Sequence, residues 1–463
     1  MSTLTPQSAP DGTGKTAGQF APDGTGKTAG QPVAQSAPEP EHDSRFGLIG
    51  RKLGHSWSPI IHAQLGTHPY HLIELEPNDV ESFLRQGSWQ GLNVTIPYKR
   101  VAVECATVVS ERVKRLGAAN TLTKDSSGTI YADNTDVIGF SYMLERFSKR
   151  HFGASAAEVF AASKLVVLGS GGGSTAVVAA LEEIPNSSVV VISRSGDNNY
   201  DNLCERHADA SLIVNTTPVG MYPACPQSPL SDEQLDCFTQ LKAVIDIVYN
   251  PLHTGLVQAA EARSIPAETG LVMLVAQAHA ASERFQDTTL DTALIEQIES
   301  NLLNRMTNIV LIGMPGIGKT GTGRRLAHLL GRPFVDMDDA ITIEYGRSPS
   351  QIITEDGVEA FRALETKVTA DYASRQGLII SCGGGVVTRA ENYAPLHQNG
   401  IIIMLDRPIE QLTTTGRPLS QQLGVQKLAE ERMPLYHAWA DHILSCTGTP
   451  QGDAELLKDM LGL

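Results

Sequence analysis

A phosphate-binding pattern is the clearest chemical signal in the amino-acid sequence. Residues 313–320 read GMPGIGKT, the full Gly-x4-Gly-Lys-Thr spacing, between an apolar run at 308–312 and a helical pattern at 324–330. In that setting backbone N–H groups surround phosphates, the lysine meets the β and γ phosphates, and the threonine hydroxyl coordinates magnesium. We therefore predict a site for ATP and Mg²⁺ made by Gly316, Gly318, Lys319, Thr320 and Gly321.

A similar string near the N-terminus is not predicted to bind nucleotide. The eleven residues APDGTGKTAGQ occur twice, starting at Ala9 and at Ala21, so alanine stands where the pattern requires its first glycine. No apolar strand precedes either copy. Residues 1–43 are rich in Ser, Thr, Gly, Pro, Ala and Gln. Such a composition buries too little apolar surface to offset chain entropy, and we expect a disordered tail.

A second glycine-rich turn has the character of a dinucleotide site. The apolar run 164–168 leads into GSGGGS and then into a helical pattern at 175–183. A strand, a glycine turn and a helix N-terminus together bind a pyrophosphate through backbone N–H groups and the helix dipole. The predicted contacts are Gly169, Gly171, Gly172 and Gly173.

The residues after the next strand indicate which dinucleotide is bound. The run 188–192 is followed by Ser193, Arg194 and Ser195. A carboxylate there would favour a free ribose 2′-hydroxyl, whereas arginine and hydroxyls favour a 2′-phosphate. The sequence therefore favours NADP(H) over NAD. The alternative is that Arg194 is a solvated loop residue.

Polar clusters interrupt the sequence before the dinucleotide turn, at 54–59, 93–99, 117–121 and 134–136. Each has a structural alternative, since Ser58 could cap a helix starting at Pro59, Asn93 and Asn120 could form turns, and Lys99 could be a surface charge. Together, beside a dinucleotide turn, they indicate a substrate site.

Short apolar runs alternate with helical patterns from residue 46 onwards, which predicts an α/β fold with parallel βαβ units. We expect helices at 80–86 and 99–109, and a strand at 334–338 that carries Asp336 and Asp338 at its end. The pattern starts anew at 308–312. The sequence thus indicates two independent α/β units, joined by a helical segment near 290–303.

Composition narrows the class of protein. The chain has 463 residues and a net charge of −15, with 41% hydrophobic and 19% charged residues. The acidic balance argues against nonspecific nucleic-acid binding, and no apolar run is long enough to cross a membrane. The six cysteines form no CxxC pair, so we expect reduced thiols and a cytoplasmic protein without membrane or nucleic-acid partners. The sequence makes no prediction of oligomeric state.

Residues 46–285 resemble shikimate dehydrogenase. The matching strings are GRKLGHSWSP, NVTIPYK, NTDVIG, NTTPVGM and GLVMLVAQA, with Lys52 as a departure where the family usually has proline. The resemblance implies that Lys99 and Asp136 form the catalytic pair and that Gly270 contacts the cofactor. The implied substrate-binding residues are Ser56, Ser58, Thr95, Asn120, Tyr249 and Gln277.

The chemistry of the catalytic pair agrees with a ketone reduction. Such a reduction needs a hydride at carbon and a proton at the developing alkoxide. Because a neighbouring carboxylate holds a lysine in its charged form, Lys99 is expected to be the proton donor in the reductive direction.

Residues 307–448 resemble shikimate kinase through the strings GMPGIGKT, DMD, FRALE, CGGG, GRPLS and RMPLYHAWAD. The resemblance implies that Asp338 orients the attacking hydroxyl, that Asp336 acts on Mg²⁺ through water, and that Arg417 comes from a lid over ATP. Arg362 and Arg432 would grip the substrate carboxylate, with Gly384 against its ring. On spacing alone, Arg362 and Glu365 could equally be a surface i,i+3 pair.

Two departures from the kinase pattern stand out. The glutamate that usually follows glycine before the FR motif is replaced by Val358, with Glu359 next to it. The lid at 412–416 is short and lacks an additional arginine.

The two resemblances imply consecutive steps on one compound. The predicted chain is a bifunctional enzyme that reduces 3-dehydroshikimate to shikimate with NADPH and then phosphorylates shikimate to shikimate 3-phosphate with ATP. The expected domains are a tail (1–43), a dehydrogenase substrate domain (44–143, completed by about 270–300), a Rossmann NADP domain (144–269) and a P-loop kinase domain (306–463). The alternatives are an NAD-dependent quinate/shikimate dehydrogenase fused to the kinase, and a sensor that binds shikimate or quinate without turnover.

Overall fold

The computed structural model describes residues 45–54, 56–412 and 424–463. The predicted tail at 1–43, with both copies of its repeat, lies outside the described residues, as does Arg417. Among the described residues, no helix is long and apolar enough to cross a membrane.

The first sheet has the strand order β2-β1-β3-β5-β6-β4. Its strands are β1 Phe46–Gly50, β2 Tyr70–Glu74, β3 Gly91–Val94, β4 Val108–Val109, β5 Thr121–Lys124 and β6 Ile130–Asp133. The helices between them are α1 Ser58–Gln64, α2 Val80–Gln86, α3 Lys99–Cys105 and α4 Glu111–Leu116.

This sheet is mixed: the parallel pairing that the sequence predicts is present, and antiparallel pairs are added to it. β5 pairs antiparallel with both β3 and β6, whereas β1 pairs parallel with β2 and β3. The link from β5 to β6 is a tight turn in which Asp125 Oδ1 accepts from the backbone N–H groups of Ser127 (2.9 Å) and Thr129 (3.0 Å). A connection this short can only join antiparallel strands.

The second sheet is parallel throughout, with the order β11-β10-β9-β7-β8. Its strands are β7 Lys164–Leu168, β8 Ser188–Ile192, β9 Ala210–Asn215, β10 Ala243–Asp246 and β11 Ala267–Thr269. The accompanying helices are α5 Asp136–Phe152, α6 Ala156–Phe160, α7 Gly172–Leu181, α8 Leu203–His207, α9 Asp232–Asp236, α10 Gly255–Glu261, α11 Leu271–Gln286 and α12 Ala293–Met306.

Helices α5 and α11 join the first two sheets. They cross so closely at Gly139 that a Cβ there would lie 2.6 Å from the carbonyl oxygen of Met273. The far end of α11 returns to the first sheet, where Phe285 stacks on Phe46 at 5.6 Å and covers Gly91. These contacts fix the position of the first sheet relative to the second. They therefore also fix the shape of the cleft between the two sheets.

The third sheet is also parallel, with the order β13-β14-β12-β15-β16. Its strands are β12 Asn308–Ile312, β13 Phe334–Asp336, β14 Ile379–Ser381, β15 Gly400–Asp406 and β16 His442–Ser445. Its α-helices are α13 Lys319–Leu330, α14 Met337–Tyr345, α15 Pro349–Asp356, α16 Val358–Ser374, α17 Tyr393–Asn399, α18 Val425–Trp439 and α19 Pro450–Leu461. Short 3₁₀ helices span Val386–Thr388, Ala390–Asn392 and Ile409–Gln411. The α/β class predicted from the sequence is confirmed.

Three element boundaries differ from the sequence prediction. The helix expected at 99–109 ends at Cys105, and Val108–Val109 pairs with β6 instead. The connecting helix is Ala293–Met306, slightly later than expected. The strand expected at 334–338 ends at Asp336, whose side chain caps α14, so Asp338 lies in the first turn of a helix and not on the strand.

Two of the six cysteines are joined, which corrects the expectation of reduced thiols. Cys204 on α8 and Cys237 at the end of α9 form a disulfide across a Cα–Cα distance of 5.7 Å. Cys105, Cys225 and Cys382 are free, as is Cys446. No local pattern indicates this pair, because its members are 33 positions apart in the sequence and only the packing of two short helices brings them together.

The two α/β units that the sequence predicts are in contact with each other. The backbone N–H of His253 donates to the carbonyl oxygen of Gln398 at 2.8 Å, and that of Leu252 donates to Asn399 Oδ1 at 3.0 Å. Asn250 Oδ1 accepts from Gln376 Nε2 at 3.1 Å. Loop and helix positions around 250–258 therefore form an interface with the third sheet's helices.

Two candidate active sites

A cavity of about 210 Å³ opens between the first and second sheets. All eight residues predicted for the substrate site of the first unit line it: Ser56, Ser58, Thr95, Lys99, Asn120, Asp136, Tyr249 and Gln277. They come from chain segments as far apart as α1 and α11, which meet here because α11 packs back against the first sheet.

The polar centre of this cavity is an ion pair. Lys99 Nζ lies 2.6 Å from Asp136 Oδ2, and the two side chains are 17% and 15% exposed. Each residue begins a helix, α3 and α5 respectively, so both side chains project from rigid elements. Asp136 Oδ1 accepts from Asn120 Nδ2 at 2.8 Å. With both carboxylate oxygens engaged, Asp136 fixes the position of an ammonium group that can donate a proton into the cavity.

Asn120 organises the surrounding amides. Its Oδ1 accepts from the backbone N–H of Thr135 at 2.7 Å, and its Nδ2 lies 3.5 Å from Gln277 Oε1. Asn120 is 3% exposed and lies before β5. The reading of Asn120 as a simple turn former is therefore wrong, because its side chain links the ion pair to α11.

Two hydroxyl groups face the same cavity from the start of α1. Ser56 Oγ donates to Ser58 Oγ at 3.1 Å. Ser58 does not cap the helix: the helix begins at Ser58 itself, Trp57 holds the cap position, and no side-chain cap bond forms there. Both hydroxyls thus remain available to a ligand.

Tyr249 forms part of the opposite wall. Burial raises the pKa of its phenol above the ordinary value, so the group stays neutral and can donate a hydrogen bond. Ile247, Met273 and Leu274 form an apolar surface beside it.

A second cleft of about 340 Å³ adjoins the glycine-rich turn after β7. Gly171 and Gly172 line it together with Ser170 and Thr175, and α7 begins at Gly172. A Cβ on either glycine would meet no atom within 4 Å, so their backbone is open to a ligand. Lys99 lines this cleft as well as the 210 Å³ cavity, and the two sites therefore meet at its side chain.

The remaining glycines of the turn are constrained by packing. Gly169 has φ +98°, a conformation that favours glycine, and a Cβ there would lie 2.8 Å from Thr217 Cγ2. A Cβ on Gly173 would lie 2.8 Å from Ile247 Cδ1, and one on Gly270 only 2.2 Å from the Ile247 carbonyl oxygen. Gly270 lines the 210 Å³ cavity and not the cleft at the glycine turn.

The segment after β8 lies at the surface. Arg194 and Ser195 are exposed and Ser193 is half-buried. None of the three lines the cleft at the glycine turn. They stand at the end of the strand next to β7, where the adenosine end of a dinucleotide lies in this fold.

The phosphate loop of the third sheet connects β12 to α13. Gly313, Gly316 and Gly318 have φ of +137°, +86° and +114°, conformations that side chains disfavour. Lys319 Nζ donates to the carbonyl oxygens of Gly313 at 2.8 Å and Met314 at 3.2 Å, so the ammonium group lies inside the loop. This arrangement presents backbone N–H groups and one positive charge to a phosphate chain. Gly321, in the first turn of α13, faces Pro450.

Thr320 and Asp336 suit a magnesium ion. Thr320 Oγ1 donates to Asp336 Oδ2 at 2.6 Å, which places a hydroxyl and a carboxylate oxygen side by side at the loop. Mg²⁺ takes one or two such protein oxygens and completes its shell with water and phosphate oxygens. The donor set therefore fits the ion.

Asp338 lies next to this pair. Loss of hydration, with smaller contributions from the charges of Asp336 and Glu365, raises its pKa to about 6. Its backbone N–H donates to Asp336 Oδ1 at 3.1 Å, which orients the first turn of α14. A carboxylate with this pKa is ionised at neutral pH and can accept a hydrogen bond from a hydroxyl.

Two buried arginines face the glycines after β14. Arg362 and Glu365 are 6% and 1% exposed, and Arg362 Nη1 lies 2.5 Å from Glu365 Oε2, so the reading of them as a surface pair is wrong. Arg432 is 6% exposed and donates through Nη1 to the Gly384 carbonyl oxygen at 2.9 Å. Two positive charges therefore converge on one short loop.

Only glycine fits at positions 384 and 385 of that loop, because a side chain would clash with neighbouring atoms. A Cβ on Gly384 would lie 2.5 Å from Pro315 Cγ, and one on Gly385 would lie 1.8 Å from Arg362 Nη2. Tyr436 adds a hydrogen bond from its hydroxyl to the Gly384 carbonyl oxygen. Burial raises the pKa of the Tyr436 phenol, so it remains a donor.

Comparisons with known proteins match both enzyme parts of the chain. The family model of the shikimate dehydrogenase substrate binding domain matches residues 48–122, and the shikimate kinase model matches residues 315–461. The shikimate dehydrogenase (NADP(+)) of Clostridium perfringens is 35% identical over 280 residues, covering 56% of this chain and 97% of the relative. The chain belongs to the shikimate dehydrogenase family. A shikimate kinase domain follows in the same chain.

Other relatives cover the same regions. The shikimate dehydrogenase (NADP(+)) of Geobacillus kaustophilus is 32% identical over 284 residues, covering 56% of this chain and 99% of the relative. A solved shikimate kinase from Acinetobacter baumannii has 34% identity and a TM-score of 0.33, covering 35% of this chain and 97% of that one. The prediction of an oxidoreductase combined with a kinase is confirmed.

Sequence reasoning missed several residues of the dehydrogenase part. Asn93, for which a turn was only the structural alternative, lies in β3, lines the cavity and accepts from the Tyr70 hydroxyl at 2.7 Å. Asp246 is fully buried, and its oxygens accept from Asn215 Nδ2 at 3.0 Å and Thr254 Oγ1 at 2.7 Å. It thereby holds the loop that carries Tyr249. The sequence feature that could have identified Asp246 is a carboxylate at the end of an apolar strand.

Proposed function

We propose that this chain catalyses two consecutive steps: reduction of 3-dehydroshikimate to shikimate with NADPH, and ATP-dependent phosphorylation of shikimate to shikimate 3-phosphate. The observation that carries the proposal is the Lys99–Asp136 ion pair, which lies where the substrate cavity meets the cleft of the glycine turn. The kinase domain on the same chain supports the second step, since its family acts on the product of the first.

The dehydrogenase residues supply orientation and a proton. Ser56 and Ser58 are placed to hold the substrate carboxylate, and Thr95, Asn120 and Gln277 to hold its ring hydroxyls. As the carbonyl becomes an alkoxide, the Lys99 ammonium donates a proton to its oxygen. Asp136 holds that ammonium in place through its 2.6 Å contact. Bound NADPH supplies the hydride for this reduction.

The glycine turn and the segment after β8 fit NADP(H). Gly171 and Gly172 expose backbone at the start of α7, where a pyrophosphate is stabilised. Arg194 is exposed at the end of β8, where it can pair with a 2′-phosphate. The NAD-dependent quinate/shikimate alternative would not need this charge, and the ratio of rates with NADPH and NADH separates the two.

The kinase residues position both reactants. Arg362 and Arg432 grip the shikimate carboxylate, and Gly384 leaves room for its ring. Asp338 accepts a hydrogen bond from the attacking hydroxyl and orients it. Lys319 neutralises charge on the phosphates of ATP. Thr320, and Asp336 through water, would hold Mg²⁺, which would supply further positive charge at the transferred phosphoryl group.

A sensor without turnover is less well supported. Such a protein could dispense with Lys99, Asp136, Lys319 or Thr320, yet all four are present, with Lys99 paired to Asp136 and Lys319 and Thr320 at the phosphate loop. Fold and motif do not by themselves establish turnover, so the distinction rests on an assay.

The test is a coupled assay on the purified full chain with 3-dehydroshikimate, NADPH and MgATP. Loss of nicotinamide absorbance and formation of shikimate 3-phosphate are followed together. We expect Lys99→Ala to abolish reduction but leave phosphorylation of added shikimate, and Lys319→Ala to do the reverse. Binding of shikimate without either signal would establish the sensor instead.

A further inference from the structure

Three side chains of metal-ligating type converge where the dehydrogenase meets the kinase domain. His253 Nδ1 lies 3.1 Å from Glu261 Oε1, and His397 Nε2 lies 3.9 Å from Glu261 Oε2. One ligand atom from each residue lies within 4.8 Å of the other two. His253 precedes α10 of the dehydrogenase and Glu261 is the last residue of that helix, whereas His397 lies in the last turn of α17 of the kinase domain.

The backbone that carries these groups is fixed across the interface. The N–H of His253 donates to Gln398, the residue after His397, at 2.8 Å. From α10, Gln258 Nε2 donates to the Ala394 carbonyl oxygen at 3.1 Å. The His397 ring stacks on Tyr393 at 5.2 Å with a 12° interplanar angle. The three ligands are thus held near one another before any ion arrives.

The site is separate from the dehydrogenase active site, and Glu261 is exposed to solvent. None of the three residues lines the 210 Å³ substrate cavity or the cleft at the glycine turn. His253 and Glu261 line another cavity, of about 410 Å³, at the junction of the two enzymes. This cavity gives an ion a route of entry and a water molecule room to serve as a fourth ligand.

We propose that His253, Glu261 and His397 bind a divalent transition-metal ion, with Zn²⁺ the best match, and that this ion ties the dehydrogenase to the kinase domain. Two imidazoles and one carboxylate are a ligand set that Zn²⁺ accepts in tetrahedral geometry. Tetrahedral ligands about 2.0–2.1 Å from zinc lie roughly 3.3–3.5 Å from each other, so small rotations of the side chains suffice. Mg²⁺ and Ca²⁺ prefer oxygen ligands and do not match.

The competing explanation is a hydrogen-bonded cluster in which Glu261 simply accepts from both imidazoles. The two contacts that Glu261 makes with His253 and His397 would then form without an ion. The two explanations differ in one measurable property, because only a metal site binds an added transition-metal ion through nitrogen.

The test uses Co²⁺ as a spectroscopic probe on the tag-free full chain, with Mg²⁺ at saturation to occupy the kinase site. We expect a visible absorption band of nitrogen-bound, low-coordinate Co²⁺ that saturates at one ion per chain and disappears on addition of Zn²⁺. We expect His397→Gln, His253→Gln and Glu261→Gln each to weaken Zn²⁺ binding at least about tenfold, since loss of even outer partners costs that much.

The matched control is His437→Gln, which also removes a histidine from the last turn of a kinase-domain helix but lies outside the cluster. This variant should bind like the wild type. The melting temperature without metal and both enzyme activities are measured for each variant. Values equal to those of the wild type show that the variant folds. The proposal fails if the wild type gives no such band, or if the band survives in the double variant His253→Gln/His397→Gln.

Discussion

Replacing Gly385 with alanine tests how the kinase site holds its arginine. Gly385 follows β14 with φ −111° and ψ 3°, which alanine also adopts, so the backbone itself is not strained. The new Cβ would lie 1.8 Å from Arg362 Nη2 and 2.2 Å from Arg362 Cζ. The three atoms nearest to the new Cβ all belong to Arg362, so the substitution acts first on that side chain.

The size of the effect follows from that distance. Ordinary contacts begin at 3.4 Å, so Nη2 must move by about 1.6 Å. The guanidinium is buried and paired with Glu365 at 2.5 Å, which leaves it little room to move without losing its partner. A misplacement of about 1 Å in a positioning group can lower a rate by roughly 10²-fold. We expect kcat/KM for shikimate phosphorylation to fall by about that factor.

The assay follows ADP and shikimate 3-phosphate formation by chromatography, with the dehydrogenase rate of the same chain as a control for folding. Because Gly385→Ala acts through Arg362, the two changes should not be additive: in an Arg362→Ala background, Gly385→Ala should have almost no further effect. An equal loss in both backgrounds would refute the steric argument, as would a kinase rate for Gly385→Ala within twofold of the wild type.

Three further predictions concern single residues. Lys99→Met should lower the dehydrogenase kcat by about 10²–10⁴-fold, the usual contribution of a positioned acid, and leave the kinase rate unchanged. Arg194→Gln should lower kcat/KM for NADPH by about 10–100-fold, the value of a charge-assisted hydrogen bond, and leave the NADH reaction unchanged. Because the pKa of Asp338 is raised to about 6, the kinase kcat/KM should fall as pH drops below about 6, where the carboxyl is protonated and no longer accepts a hydrogen bond.

Each of these predictions can fail clearly. If the Lys99→Met variant reduced its substrate at the normal rate, a group other than Lys99 would be the proton donor. An Arg194→Gln enzyme that keeps its preference for NADPH would mean that this side chain is a solvated loop residue. A kinase pH profile that is flat from pH 5 to 7, measured by initial rates at several shikimate concentrations, would mean that Asp338 does not accept from the hydroxyl.

The sequence by itself determined the chemistry that each part can perform. The phosphate loop, the glycine turn and the motif that ends at Lys99 are contiguous strings, and their function depends on local backbone geometry: a strand, a turn and a helix N-terminus. Such geometry is encoded within about ten residues, so reading the string suffices. The α/β class followed for the same reason, from alternating local patterns.

The tertiary structure decided which distant residues meet. Asn93 became a cavity residue because β3 pairs with β5 and not because of its own neighbours in sequence. The burial of Arg362 with Glu365 depends on the packing of α16, since helical spacing alone is equally typical of a surface pair. Asp338 moved from the expected strand to a helix because Asp336 caps that helix.

The pairing of Cys204 with Cys237 and the cluster of His253, Glu261 and His397 are the clearest cases of this dependence. The two cysteines are 33 positions apart in the sequence. The three residues of the cluster lie on two different domains of the chain. Sequence patterns report periodicity and local turns, which operate over a few residues. Contacts between separately folded surfaces depend on how whole helices pack, and no local pattern encodes that packing.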